Sequence, residues 1–255
     1  NQAVCLLVAN GVKTCQVTVD GPKEVHDKRR GYRQGHGSSF DRVLENMRRL
    51  VGRMELSVRI NVDEDNIGHA YTLLDIFREE GFFQHSETGF FPYMAMTGPI
   101  NPCIPFNCRP VSMGEFYKKN LKFQEKVFEY SGRGWLRPVL DFPFAVGAPC
   151  GALMKNTYAF DPKGQYFRCA LEIGETDKQC GHICGEVNSP QYKKWGDYDP
   201  LTDRECLECR YLPFCMGGCP KVIFDKNGFY RKEGCVYWKG NLEDIVRLYA
   251  KAMGE

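Results

Sequence analysis

Cysteine is the residue type whose number and spacing in this chain point to chemistry. There are 13 cysteines among 255 residues, and nine of them lie between residues 150 and 235. Seven of the nine form a series with gaps of 18, 36, two, five, three and 15 residues: Cys150, Cys169, Cys206, Cys209, Cys215, Cys219 and Cys235. Thiolates two or three residues apart on a turn can converge on one soft metal centre, because the loop wraps around it. Gly217 and Gly218, directly before Cys219, allow tight backbone around an inorganic core.

Four interpretations of this series compete. Disulfide bonds are disfavoured because the cysteine count is odd and because we expect a cytoplasmic protein, in which thiols stay reduced. Structural zinc would suit two pairs of the C-x2-C type, and Cys206 with Cys209 is the one such pair. Inert buried cysteines do not explain the regular spacing. Iron–sulfur clusters accept irregular spacings and distant ligands, so the series favours them, with zinc as the alternative.

The overall charge and hydrophobicity exclude other classes of function. Lysine and arginine number 34, aspartate and glutamate number 32, and the formal net charge is +2. A balance this close to zero argues against a dedicated nucleic-acid or membrane-surface binder. The sequence also lacks a run of about 18 apolar residues, the length that suggests a membrane span. We therefore expect neither nucleic acid nor a membrane among the partners.

The first hundred residues alternate predicted strands and helices. Strands are predicted at 16–20, at 55–62 and within 82–96, helices at 40–51 and 67–77, and a polar loop at 21–39. The strand at 55–62 follows from the alternation of apolar and polar residues, and the helices follow from apolar residues on one face. Repeated strand–helix units imply a parallel sheet with right-handed crossovers, as in half of an eight-unit barrel or of a partial barrel.

The pattern changes in the second half of the chain. A helix is predicted from a capping box at Ser112 to about Gly132. From about residue 143 the elements become short, and glycine and cysteine dominate. A last amphipathic helix is predicted at 242–253. We therefore predict three segments, with limits at 1–142, 143–240 and 241–255.

The cysteine series resembles the SPASM domain of radical S-adenosylmethionine (SAM) enzymes at every spacing, including Gly164 five positions before Cys169. Residues 206–220 resemble the peptide-modifying members in particular. Residues 17–31, which contain Asp-Gly-Pro, His-Asp and Arg, are similar to the fourth strand and following loop of such enzymes, and residues 40–50 are similar to the next helix. This resemblance implies an α/β fold. It would be the C-terminal half of a partial (β/α)6 barrel, with strands four to six, followed by a small Cys-rich SPASM domain that binds two Fe–S clusters.

The resemblance also implies two ligand sets for auxiliary 4Fe–4S clusters. The outer set would be Cys206, Cys209, Cys215 and Cys235. The inner set, nearer the active site, would be Cys150, Cys169 and Cys219.

Two positions depart from the sulfatase-maturating members of that family. Those members have a fourth inner-cluster ligand six residues after the first cysteine of the set, where this chain has Asn156. They also have a proposed base directly after the second cysteine, where this chain has Ala170. Both departures argue against formylglycine formation. They favour an inner cluster with an open iron, a substrate thiolate at that iron, or a fourth ligand from Cys180 or Cys184.

The C-x3-C-x2-C triplet that holds the SAM cluster in that family occurs nowhere in the 255 residues, and neither does the Gly-Gly-Glu motif. We therefore expect the C-terminal portion of a longer enzyme, with a degenerate paralogue as the alternative, and no SAM cleavage by this chain alone. SAM and a third 4Fe–4S cluster would belong to the longer chain. Thr18 and Arg30 are the candidates for binding the SAM carboxylate, against the alternatives of a buried strand residue and a solvated loop charge.

The function implied by the resemblance is that of a radical SAM oxidoreductase that matures a peptide, with thioether cross-linking at cysteine as one candidate reaction. Its partners would be a peptide or protein substrate and a reductant such as flavodoxin or ferredoxin. A non-catalytic SPASM electron carrier or scaffold is the second hypothesis, and a zinc-binding interaction module is the third.

The remaining candidates receive structural interpretations. Asp20, His26 and Asp27 are predicted to anchor turns, and His182 to make ordinary hydrogen bonds. The four other cysteines are predicted to be small core residues: Cys5, Cys15, Cys103 and Cys108.

Overall fold

The computed structural model describes residues 2–32, 37–85, 89–97, 109–131, 145, 150–185, 189–225 and 229–253, and of residues 222, 225, 229–238, 252 and 253 it describes the backbone alone. The chain divides into two compact units. Unit 1 comprises Asn1–Gly98, Asn107–Leu140 and Asp244–Glu255, and unit 2 comprises Pro99–Phe106 and Asp141–Glu243. The predicted three-segment division stays a prediction.

Unit 1 is a three-stranded parallel sheet with helices between its strands. Its helices are α1 (Gln2–Ala9), α2 (Lys23–Arg30), α3 (Ser39–Leu50), α4 (His69–Glu79) and α5 (Met113–Ser131). Its strands are β1 (Thr14–Thr18), β2 (Glu55–Val62) and β3 (Phe90–Met96), and a 3₁₀ turn at Phe82–His85 precedes β3. The strand order is β1-β2-β3, and both pairings are parallel. The predicted parallel sheet is therefore present among the described residues.

The central strand β2 shows how the sequence pattern builds this sheet. Its apolar residues are fully buried, with exposures of 0%: Leu56, Val58, Ile60 and Val62. The residues between them, such as Arg59 and Asn61, are half-buried on the opposite face. This confirms the predicted period of two. Helix α3 begins where the Ser38 side chain accepts from the Asp41 N–H, a common N-cap.

Two elements differ from the prediction. Helix α2 lies within the predicted loop at 21–39, and of its eight residues only His26 is buried, so the apolar period that predicts helices is absent. Helix α10 (Phe229–Met253) begins well before the predicted start at 242. Gly234 and Gly240 weaken the helical pattern of its first half.

Unit 2 is assembled from short elements. Strands β4 (Ala159–Phe160), β5 (Gln165–Phe167) and β6 (Gly181–His182) form an antiparallel sheet, in which β4 and β5 make a hairpin. The helices before α10 are α6 (Pro190–Gly196), α7 (Arg204–Leu207), α8 (Leu212–Cys215) and α9 (Pro220–Asp225). Across the described part of the chain, no helix has the length and apolar character needed to cross a membrane.

Candidate iron–sulfur sites

The three cysteines of the predicted inner set each stand at the edge of a short element in unit 2. Cys150 is the N-cap of the 3₁₀ turn Gly151–Leu153, and its Sγ accepts a hydrogen bond from the Ala152 N–H at 3.4 Å. Cys169 follows β5 after one residue and is the N-cap of the next 3₁₀ turn. Cys219 directly precedes α9. All three cysteines therefore stand at turns or helix starts, where a thiol can point away from regular structure.

Electrostatic interactions connect these three cysteines. Burial is the main reason why the pKa of the Cys169 thiol is raised, and electrostatic interactions with Glu172, Cys219 and Cys150 raise it further. Thiols from three segments that are distant in the chain therefore interact with one another. A bound metal cation would oppose this shift, since positive charge favours the thiolate form.

The turn before Cys219 has an unusual backbone. Met216, Gly217 and Gly218 are all left-handed, with φ of 44°, 82° and 87°. Glycine adopts this conformation without steric cost. A Cβ on Gly217 would also come within 2.7 Å of the Pro200 Cβ. The left-handed backbone therefore explains why residues 217 and 218 are glycine, and the close approach of Pro200 is a second reason at Gly217.

The predicted outer set is partly described. Cys206 is buried in α7, and its N–H donates to the Asp203 carboxylate at 3.1 Å. The Cys209 N–H donates to the Cys206 carbonyl at 3.0 Å, so the two cysteines share one tight turn. Cys215 is the last residue of α8. Cys235 falls on α10, where its side chain lies outside the described atoms.

The donor chemistry of these sets suits a cluster better than a single ion. Among the described residues, no three His, Cys, Asp or Glu side chains are arranged to hold one metal ion. Ligands of a single zinc must all approach to about 2.3 Å from the metal. A 4Fe–4S cluster places several irons and sulfides between its thiolates, so its ligands stand farther apart. The predicted sets consist of thiols, the usual ligands of iron–sulfur clusters, and a glycine-rich turn precedes Cys219.

The structure gives the candidates for a fourth ligand different surroundings. Cys180 is fully buried, and its thiol interacts with the Arg168 backbone N–H and the Ser189 side chain, while burial raises its pKa. Cys184 is exposed, and its N–H donates to His182 Nδ1 at 3.1 Å. The other ring nitrogen of His182 lies 3.0 Å from the Lys163 carbonyl, as expected for ordinary hydrogen bonding. The roles of Cys180 and Cys184 as cluster ligands stay predictions.

Asn156 and Ala170, the two departures from the sulfatase-maturating pattern, occupy turns. Asn156 is exposed and left-handed, with φ of 63°. Asparagine is among the non-glycine residues that adopt this conformation most readily. Ala170 opens the 3₁₀ turn Ala170–Glu172 after Cys169.

Of the two predicted SAM-binding residues, one ends β1 and the other ends α2. Thr18 is the last residue of β1, half-buried and in register with Arg59 of β2. Arg30 is half-exposed, and its Nε donates to the Asp20 carboxylate at 2.6 Å. Asp20 is 3% exposed and also accepts from the Asn61 N–H at 3.3 Å. Whether Thr18 and Arg30 bind SAM stays a prediction.

Asp20, His26 and Asp27 make the hydrogen bonds that hold α2 in place, but His26 and Asp27 lie within this helix and not in the predicted turns. The Asp20 N–H donates to His26 Nδ1 at 3.1 Å, and burial lowers the pKa of His26. The Asp27 carboxylate accepts from the Ser39 hydroxyl at 2.9 Å and the Phe40 N–H at 2.8 Å, which ties α2 to the start of α3. Burial alone would raise the pKa of Asp27, but these hydrogen bonds outweigh burial and lower it to about 2.

Sequence reasoning missed a second ion pair in this region and misplaced one cysteine. Arg29 donates to Asp63, which is fully buried, at 2.8 Å. A charged pair at a strand end has no distinctive sequence signal.

The prediction that Cys5 is a core residue is wrong: Cys5 is exposed because α1 buries only Val4. Cys15 is half-buried on β1, and Cys103 and Cys108 lie outside the described residues.

Comparisons with known proteins find similar sequences and folds. No protein-family model matches the chain. A cysteine-type anaerobic sulfatase-maturating enzyme of Clostridium novyi (strain NT) is 23% identical over 226 residues, which cover 80% of this chain and 56% of that enzyme. The chain therefore spans about half the length of this curated relative.

Solved structures agree with this relationship. Native anSMEcpe with bound AdoMet matches with a TM-score of 0.61 and 16% identity, covering 99% of this chain and 72% of that one. Streptococcus suis SuiB bound to its precursor peptide SuiA matches with a TM-score of 0.61 and 11% identity, covering 89% of this chain and 54% of that one. The fold is the mixed α/β fold of radical SAM maturases.

The chain is therefore similar in sequence to an anaerobic sulfatase-maturating enzyme and similar in fold to solved structures of maturases, as the predicted resemblance requires.

Proposed function

We propose that this chain is the auxiliary-cluster-bearing part of a radical SAM enzyme that modifies a peptide or protein after translation. The observation that carries the proposal is that Cys150, Cys169 and Cys219, three soft ligands, stand at the edges of short elements in separate segments of unit 2 and interact electrostatically. The relationship to maturating enzymes supports it, as does the precursor peptide bound by the structural neighbour SuiB.

Two auxiliary 4Fe–4S clusters are the cofactors in this proposal. Cys150, Cys169 and Cys219 would hold the inner cluster, and Cys206, Cys209, Cys215 and Cys235 the outer one. When bound, such clusters supply one-electron transfer. The chain would hold the thiolates on short capped turns, as Asp203 does for Cys206.

We further propose that a cysteine of the peptide substrate completes the inner ligand set. The position of the missing fourth cysteine is the exposed, left-handed Asn156, whose carboxamide is a poor ligand for cluster iron. Cys180 is buried with partners of its own. A substrate thiol beside a metal would lose its proton readily. This arrangement favours sulfur–carbon cross-linking over formylglycine formation, for which Ala170 offers no acid–base group.

The rest of the reaction belongs to a longer chain in this proposal. Thr18 and Arg30 would face the SAM carboxylate there, and a flavodoxin or ferredoxin in the cytoplasm would supply electrons. A non-catalytic SPASM electron carrier is the second candidate, favoured by the absence of C-x3-C-x2-C from these 255 residues. Production of 5′-deoxyadenosine separates the two. A chain extended upstream to include that triplet should make it, and the isolated 255 residues should not.

Cluster content tests the proposal directly. Anaerobically reconstituted protein should hold about eight iron and eight sulfide per chain, four of each per cluster. Stoichiometric zinc without sulfide would overturn the assignment in favour of a zinc module.

Single cysteine variants test the division into two sets. Cys206→Ala should remove the outer cluster and leave the inner one, and Cys169→Ala should do the reverse. Cys5→Ala is the matched control, because Cys5 is exposed on α1 and outside the series. Loss of both clusters in each single variant would contradict two separate sites.

A further inference from the structure

Arg168 is a buried cation that joins two segments of the inner set. It directly precedes Cys169 and is only 4% exposed. Its Nε donates to the Ala152 carbonyl at 3.0 Å, and its Nη2 donates to the Met154 carbonyl at 2.9 Å. Both carbonyls belong to the turn that starts at Cys150. One side chain therefore ties the Cys150 turn to the strand end that carries Cys169.

Two tyrosine rings hold the guanidinium group in place. Its central carbon lies 5.1 Å from the centroid of the Tyr192 ring and 5.9 Å from that of the Tyr158 ring. The two rings stack on each other at 6.3 Å with an angle of 15°. A planar guanidinium can meet aromatic rings and two carbonyls at once, whereas the ammonium group of lysine is a point donor.

The charge of Arg168 is not neutralised by an ion pair within the described part of the chain. Its described hydrogen-bond partners are carbonyl oxygens, and its backbone N–H interacts with the Cys180 thiol. Burying a charge in this way is costly unless it fixes something, because desolvation is repaid only by well-placed acceptors. Arg168 fixes the backbone of the Cys150 turn relative to the end of β5, which precedes Cys169.

We propose that Arg168 is a positioning residue for the inner cluster. By locking the Cys150 turn against the end of β5, it would set the spacing between the Cys150 and Cys169 thiolates before metal arrives. The inference rests on the proposed function, since it requires a cluster at these cysteines. The lock itself is a property of the protein and can be measured without metal.

The test uses Arg168→Met in the full chain, which keeps an apolar stem and removes the donors. Arg210→Met is the matched control. Arg210 also adjoins a cluster cysteine, Cys209, but it is exposed and stacks on the Tyr211 ring at 4.9 Å. Three measurements apply to each protein: hydrogen exchange at residues 151–154 without metal, iron and sulfide content after reconstitution, and the reduction potential and electron paramagnetic resonance signal of each cluster.

Arg168→Met should exchange at residues 151–154 at least about tenfold faster, because it loses two hydrogen bonds from a charged donor. Its inner-cluster signal should be lost or shifted in potential, while the outer-cluster signal stays as in the parent protein. Arg168→Lys should show a smaller shift of the same kind, and Arg210→Met should leave the inner cluster unchanged.

The outcomes separate this inference from the proposed function. If the parent protein binds no iron and sulfide, the proposed function is wrong, and the exchange data then report the lock alone. If the parent holds both clusters and Arg168→Met keeps the inner signal and potential unchanged, the positioning role is wrong. Equal loss of both clusters in Arg168→Met would also overturn it, because the effect would then be general unfolding.

Discussion

Units 1 and 2 are held together by different interactions. In unit 1 the core is apolar and lies on regular elements, as the fully buried residues Leu56, Val58 and Phe77 illustrate. Among its described residues, unit 2 buries few apolar side chains: Ala152, Tyr166, Phe167, Trp195, Pro200 and Pro220, besides two cysteines. It buries charged side chains instead: Arg168, Glu172, Glu175 and Lys221. Unit 1 can therefore draw on the hydrophobic effect, whereas unit 2 depends on polar contacts and, in our proposal, on bonds to metal.

The local structure of unit 2 shows the same dependence. Helices α7 and α8 have four residues each, too few for a helix to persist in water unaided. A side chain holds the start of α7, where the Asp203 carboxylate accepts from the Cys206 N–H. The buried Lys221 pairs with Glu175 at 3.2 Å. Such contacts specify a shape but add little net stability, because each has a desolvation cost.

The expected effect that involves the most residues is that of metal removal on unit 2. If clusters replace a core there, their removal should make amides of β5, α7 and α8 exchange at least about 100-fold faster, as for a ligand that contributes about 2.7 kcal/mol or more. Amides of β2 should keep their protection, because unit 1 has a core of its own. Hydrogen exchange followed by mass spectrometry, with and without a chelator, measures both units in one sample. Equal protection of unit 2 in both states would show that its polar contacts suffice.

The converse change acts on unit 1. Phe77 is fully buried, with ring centroids 5.9 Å from Phe82 and 5.4 Å from Phe90. Phe77→Ala should destabilise unit 1 by about 3–5 kcal/mol, because it removes a large apolar group and leaves a cavity. Leu6→Ala, at a residue 57% exposed on α1, should change stability by less than about 0.5 kcal/mol. Denaturant unfolding measures both, and loss of bound iron by Phe77→Ala at low denaturant would contradict the separation of the units.

The two units were also predictable from sequence to different degrees. In unit 1 the strand at 55–62 could be read directly, since its apolar residues repeat with a period of two. Helix α2 could not, because it is polar apart from His26 and is held by tertiary contacts such as that of Asp27 with the Phe40 N–H. Local patterns predict elements that bury a regular face, and they miss those fixed by single polar contacts.

In unit 2 the cysteine spacing predicted a type of chemistry rather than a fold. The resemblance to the SPASM domain grouped Cys150, Cys169 and Cys219, which interact electrostatically in the structure, and their role as ligands stays a prediction. It gave no sign of Arg168, since an arginine before a cysteine looks like an ordinary surface charge. Its burial depends on Tyr158 and Tyr192, which lie 10 and 24 positions away in the chain, and only the fold brings them together.

An intermediate effect is expected at the two glycines before Cys219. Both are left-handed, so alanine at either should cost about 1–2 kcal/mol. Gly217→Ala also places a Cβ within 2.7 Å of the Pro200 Cβ, which should add about 1–3 kcal/mol, whereas a Cβ on Gly218 meets nothing within 4 Å. Gly218→Ala is therefore the matched control for strain without collision. Thermal unfolding and iron content should rank parent, Gly218→Ala and Gly217→Ala in that order, and equal losses in the two variants would show that packing against Pro200 is unimportant.

The smallest effect is a pH dependence confined to unit 1. His26 is 1% exposed, and burial is the main reason why its pKa is lowered. The charge of Arg30 also lowers this pKa, while those of Asp20 and Asp27 raise it without overcoming burial. Because the folded pKa lies below the unfolded value of about 6.5, the unfolded chain binds more protons in the window between the two. The contribution of His26 to stability is therefore complete above about pH 6.5 and is lost as the pH falls below it.

His26→Asn isolates this contribution, because the asparagine side-chain oxygen can accept from the Asp20 N–H in place of His26 Nδ1 but does not titrate in this range. The variant should be less stable overall, since it loses the ring that packs edge-on against Phe40. Below pH 6.5 its stability should nevertheless fall less steeply than that of the parent, by at most about 1.4 kcal/mol per pH unit for one proton. Exchange of β2 amides, corrected for the intrinsic rate at each pH, reports unit 1 alone and avoids acid damage to clusters in unit 2. Identical slopes in parent and variant would mean that His26 binds its proton equally well in the folded and the unfolded chain. The burial of His26 would then not make the stability of unit 1 depend on pH.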